Sequence, residues 1–70
     1  MKKFALTLTR GNERTILSLH DSKEEAMAEG EKIQKILTRD AGFLALIYAE
    51  FDSNNNIIDG KYKFYHGWLS

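Results

Sequence analysis

Three groups of residues could do chemistry in this chain. They are the acid and amide run Asp52-Ser53-Asn54-Asn55-Asn56, the two histidines His20 and His66, and the basic-aromatic run Gly60-Lys61-Tyr62-Lys63-Phe64-Tyr65. The first offers oxygen atoms at the spacing with which a calcium loop begins. Such a loop then needs glycine at its sixth position and glutamate at its twelfth, where this chain has Ile57 and Lys63. A hairpin loop is the better reading, since asparagine tolerates the left-handed conformation. Neither histidine has a partner at metal-ligand spacing, and there is no cysteine to assist, so no metal and no cofactor is expected. An acid–base pair such as His66 with Glu50 would need both to converge in a pocket, which nothing in the sequence forces. The expectation is a chain that is not an enzyme. In the third run, rings could stack on bases while cations meet phosphate, as in single-stranded RNA binders. Rings on a strand also serve as core or cross-strand pairs.

These residues need elements to position them. Phe4 to Arg10 alternates apolar with small or polar side chains, the period of a strand. Gly11-Asn12-Glu13 supplies a turn, and Thr15 to His20 returns as the second strand of a hairpin. Ser22-Lys23-Glu24-Glu25 reads as a capping box that opens a helix, with Asp21 as the competing cap. Ala26, Gly30, Ile33 and Leu37 form its apolar stripe, flanked by Met27 and Ile36. Gly30 within that stripe predicts close approach of the helix to a sheet. Asp40-Ala41-Gly42 is expected to end the helix. Residues 43–52 read as a strand apolar on both faces and hence central in its sheet. Ile57 to about Trp68 is the fourth strand, with Gly60 at a bulge or bend.

The order is β-β-α-β-β. It predicts an α+β fold, a two-layer sandwich with a four-stranded, mostly antiparallel sheet and one helix on one face. Residues 1–70 are expected to form a single domain. One helix covers one face of four strands, so the other face must meet solvent, a partner or a second copy of the chain. The alternation can be satisfied with Phe4, Leu6, Leu8, Leu17, Leu19, Phe43, Ile47, Phe51, Ile58, Tyr62 and Phe64 beneath the helix. Thr7, Thr9, Ile16, Ser18, Leu44, Leu46, Tyr48, Lys61, Lys63 and Tyr65 then lie on the open face. The expected binding surface has Leu44, Leu46, Tyr48 and Tyr65 at its centre and Lys61 and Lys63 on its rim. A terminal-region Trp68 is expected to pack on a core edge or an interface.

Ten basic and ten acidic residues give a formal net charge of zero, which argues against a dedicated nucleic-acid binder. The distribution is uneven: residues 1–20 carry a net +3, residues 21–52 a net −4 and residues 53–70 a net +1. The helix thus exports acid to one side and leaves the sheet side basic. No apolar run approaches a membrane span, and Thr7, Thr9 and Arg10 interrupt what would otherwise imitate a signal peptide. A cytoplasmic location is expected. Without cysteine a disulfide scaffold is excluded, and a domain of this size is only marginally stable alone.

The stretch Asp21-Ser22-Lys23-Glu24-Glu25-Ala26, then Gly30, Phe51-Asp52, Ile57-Ile58-Asp59-Gly60-Lys61-Tyr62 and Tyr65-His66-Gly67-Trp68 carry a resemblance that spans nearly the whole chain. It resembles small uncharacterised proteins of conjugative transposons and related mobile elements of Gram-positive gut bacteria. The resemblance implies a cytoplasmic accessory protein and implies no catalytic residues. Together with the open face, it predicts a non-catalytic interaction module that binds a protein partner or forms a homodimer. The alternative is an auxiliary nucleic-acid-binding module using the same face.

Overall fold

Ser22 sets the start of the helix. Its backbone is extended and its hydroxyl accepts a hydrogen bond from the Glu25 amide at 3.1 Å, which satisfies one of the amides a helix leaves unpaired. Glu24 and Glu25 lie in the first turn and Lys35 in the last, both favourable against the helix dipole. In the computed structural model, which describes residues 1–68, the elements are β1 (Lys2–Arg10), β2 (Glu13–His20), α1 (Lys23–Ile36), a 3₁₀ turn (Arg39–Ala41), β3 (Phe43–Phe51) and β4 (Ile57–Trp68). The class is α+β. The helix closes at Leu37, earlier than the sequence predicts. The 3₁₀ turn and Gly42, at φ 124°, make the bend into β3.

The strands form one sheet in the order β2-β1-β3-β4, and every neighbouring pair is antiparallel. β3 is central, as a strand apolar on both faces should be. Both outer strands depart from regular pairing, β2 at one place and β4 at two, the second of these opposite Ala49 to Phe51, where Gly60 takes φ 75°. On β2, Leu6 pairs with Ser18 and Thr7 with Ile16, which leaves Leu17 unpaired. On β4, Leu46 pairs with His66 and Ile47 with Phe64, which leaves Tyr65 unpaired. Each extra residue shifts the inside–outside alternation by one step.

The helix packs on Leu6, Leu44, Leu46 and Trp68 through Ala26, with Phe4, Leu8, Met27, Ile33 and Leu37 around them. The Gly30 prediction holds in a specific way. A Cβ placed there would lie 2.4 Å from the Trp68 ring, inside any real contact distance. Only glycine lets the helix backbone rest on the indole. Ile36, expected to flank the buried stripe, is 80 % exposed.

A second apolar cluster fills the other face. Ala5, Ile47, Ala49 and Phe51 are buried there, with Ile16, Leu19 and Ile57 packed around them. The sheet itself supplies this cover by coiling. Arg14 of β2 lies 4.9 Å from the ring centre of Tyr62 of β4, although two strands separate theirs and a flat sheet would hold the two backbones about 14 Å apart. The hairpin loop after β3 is closed by its own bonds. The Asp52 carboxylate accepts from the Asn54 and Asn56 amides at 2.9 and 3.0 Å, and Asn55 takes φ 62°.

Candidate interaction surfaces

The six residues expected to form one surface separate into two environments. Leu44 and Leu46 are 1 % and 0 % exposed, in the core beneath the helix, and this corrects the expectation that they centre an open face. The reason is the pairing of β3 on β1. Leu46 lies opposite Leu6 and Leu44 opposite Leu8, so these leucines share the face of the two β1 residues that the helix covers. Leu19, Phe43, Ile47, Phe51, Tyr62 and Phe64, expected under the helix, lie on the other face instead.

Tyr48, Lys61, Lys63 and Tyr65 do come together. They lie where the helix begins, on the helix side of the sheet but past its cover. Tyr48 and Lys63 face each other in the β3–β4 ladder. The rings of Phe4, Tyr48 and Tyr65 form a cluster: Phe4 lies 4.6 Å from Tyr48 and 5.7 Å from Tyr65, and Tyr48 meets Tyr65 edge-on at 6.5 Å. Two ammonium groups approach the Tyr65 ring, Lys23 at 5.3 Å and Lys63 at 5.4 Å from its centre. Beside the cluster runs an open groove of about 260 Å³, with Lys2, Tyr48, Glu50, Lys61, Tyr62 and Lys63 on its walls. Among the described residues the ion pair is Lys3 with Asp21, so the three groove lysines stand without a carboxylate partner. The hydrogen bond and charge of Lys3 hold the fully exposed Asp21 carboxyl below its usual range. Lys2, Phe4 and Lys23 escaped the sequence reading of this site. The β1 alternation could have placed Lys2 and Phe4 together, but the approach of Lys23 depends on the tertiary fold.

The second surface lies on the face away from the helix. Phe43, Tyr62 and Phe64 are 40 %, 47 % and 54 % exposed. Phe43 and Phe64 converge over Gly67, where an added Cβ would be 2.4 Å from the Phe43 ring and 3.1 Å from that of Phe64. Gly67 therefore makes the space in which two rings lie side by side at the surface. A shallow cavity between the outer strands, about 340 Å³, adjoins Tyr62 and is lined by Arg14, Ile16, Asn56, Ile57 and Gly60.

His20 and His66 do not converge on a site. His20 shares a 2.8 Å hydrogen bond with Ser18, and His66 packs edge-on against Trp68 at 4.6 Å. Among the described residues no group of three or more acidic, histidine or cysteine side chains is placed to hold a metal, and no helix is long and apolar enough to cross a membrane. Compared with known proteins, the chain matches no family model, no curated protein and no solved structure.

Proposed function

We propose that this chain is a non-catalytic interaction module, an accessory protein of a mobile element, built as two layers with its contact surface on the sheet face opposite the helix. The occupant we assign is a second copy of the chain, with Phe43, Tyr62 and Phe64 at the centre of the contact and Arg14 and Asn56 on its polar rim. The observation that carries this is the exposure of those three rings on a face that no helix covers. Interfaces are enriched in aromatic residues at their centres, and a surface holding three half-exposed rings is costly to leave in water.

A further feature supports this. Both outer strands are bulged, which blunts pairing at the sheet edges and leaves the face as the better docking surface. In a two-fold dimer each patch meets its own copy, and a formal net charge of zero imposes no overall repulsion at neutral pH.

Sedimentation equilibrium from about 1 μM to about 1 mM spans dissociation free energies of about 8.2 to about 4.1 kcal/mol. The native chain should pass from monomer to dimer within that range, and Phe64→Ser should remain monomeric. A native chain that stays monomeric throughout would remove the second copy as occupant.

A further inference from the structure

We infer that the groove of Lys2, Tyr48, Lys61 and Lys63, together with the neighbouring Tyr65 ring that contacts Tyr48 and Lys63, binds single-stranded nucleic acid. This groove adjoins the surface that carries the proposed self-association, with Tyr62 lining both, but the inference does not rest on that association. Four observations lead here. Lys2, Lys61 and Lys63 converge on one groove from two strands, and among the described residues Glu50 is the carboxylate on its walls. None of the three is in an ion pair among the described residues. Two rings adjoin the cations, with Tyr65 37 % exposed. The groove is open to solvent rather than enclosed, so a polymer can reach it. The overall charge of the chain is zero, so the field that matters is local.

A phosphodiester strand suits this combination better than a compact anion. Lys61 and Lys63 alternate along β4, so their backbones are about 6.8 Å apart, and they can meet successive backbone charges rather than one point. The ammonium groups of Lys23 and Lys63 now rest against the Tyr65 ring. An exposed contact of that kind is weaker than stacking of a base on an aromatic ring. When phosphate draws the flexible lysine stems aside, the ring becomes available to a base. A duplex is disfavoured because its bases are already stacked and offer no free face to Tyr65.

The test is fluorescence anisotropy of a labelled single-stranded DNA 12-mer against the full chain at several salt concentrations. Three phosphate contacts predict a slope of log affinity against log salt of about −2, which is about tenfold weaker binding on going from about 50 mM to about 150 mM salt. Replacing both Lys61 and Lys63 by glutamine should reduce that slope to about −0.7. Tyr65→Ala should weaken binding about 5- to 150-fold, the effect of losing one stacked base. Tyr65→Phe should retain most of the affinity, and Phe64→Ser, on the other face, should leave it unchanged. Thermal melting of each variant checks that it is folded, and the exposed lysine variants keep the test decisive if Tyr65→Ala is not. Absence of binding at low salt would overturn the inference, as would affinity untouched by the double lysine replacement. Equal or tighter binding of duplex DNA, of polyphosphate or of phosphatidylserine vesicles would overturn it as well, since each would show that charge alone is read.

Discussion

Gly30 gives the sharpest test of how the helix meets the sheet. In an exposed helix, replacing an interior glycine with alanine stabilises by about 0.8–1.0 kcal/mol through backbone entropy. Here the new methyl would lie 2.4, 2.7 and 3.0 Å from three atoms of the six-membered ring of Trp68. That ring belongs to a residue only 7 % exposed, held edge-on by His66. Either the packed ring is pushed into its neighbours or the helix lifts, and each disturbs the core. Overpacking of this kind costs about 1–3 kcal/mol, and the severity of the overlap places this case toward the upper end. The net expectation for Gly30→Ala is destabilisation by about 1–2 kcal/mol, a fall in melting temperature of about 4–16 °C for a domain of this size. Urea denaturation followed by circular dichroism would measure it, with an unchanged slope against urea showing that the unfolded reference is the same. Trp68→Phe removes the ring that the methyl would strike. In that background Gly30→Ala should become neutral or stabilising by up to about 1 kcal/mol. Equal or greater stability of Gly30→Ala with Trp68 intact would refute the close-approach argument.

The two faces of the sheet should respond differently to truncation. Leu46→Ala, at a position 0 % exposed, should cost about 2–5 kcal/mol, whereas Phe64→Ser, which removes a half-exposed ring, should cost the monomer only about 1 kcal/mol, both by urea denaturation. The Lys3–Asp21 pair should appear in acid. The folded-state pKa of Asp21 is depressed, so its stabilising contribution is present above the unfolded value of about 3.9 and is lost as pH falls through the folded value. Lys3→Met should raise the Asp21 pKa toward the ordinary aspartate range, read by carbon-detected NMR titration of the carboxyl. An unmoved titration would show that the pair does not persist in solution.

The order of elements was legible because each carries local chemistry: alternation in β1, the Ser22 cap, the asparagine-rich loop. The cap interaction at Glu25 and the closed loop at Asp52 are both present. What the sequence does not reveal is which way β3 faces. Phe43 to Phe51 is apolar at odd and even positions alike, so period two carries no direction. The choice is made by its register against β1, a tertiary fact. In β4 the failure has a different cause. Tyr62 and Phe64 point away from the helix, while His66 and Trp68, at the same parity, point toward it, because Tyr65 is the extra residue of a bulge. A uniform alternation across β4 therefore misassigns half of the strand. Gly67, which accommodates Phe43 and Phe64, was a visible irregularity, but its position alone does not reveal the phase shift. The second apolar cluster was likewise invisible, since coiling of the sheet, and not any further element, buries Ala5 and Ile47.

The reading that the helix-free face joins two copies is tested most directly by an amide and aromatic NMR dilution series on the native chain. Self-association predicts concentration-dependent shifts centred on Phe43, Tyr62, Phe64 and Gly67, with Ala26 and Leu46 unmoved. Spectra that do not change with concentration, or shifts that map onto the outer side of the helix, would contradict it.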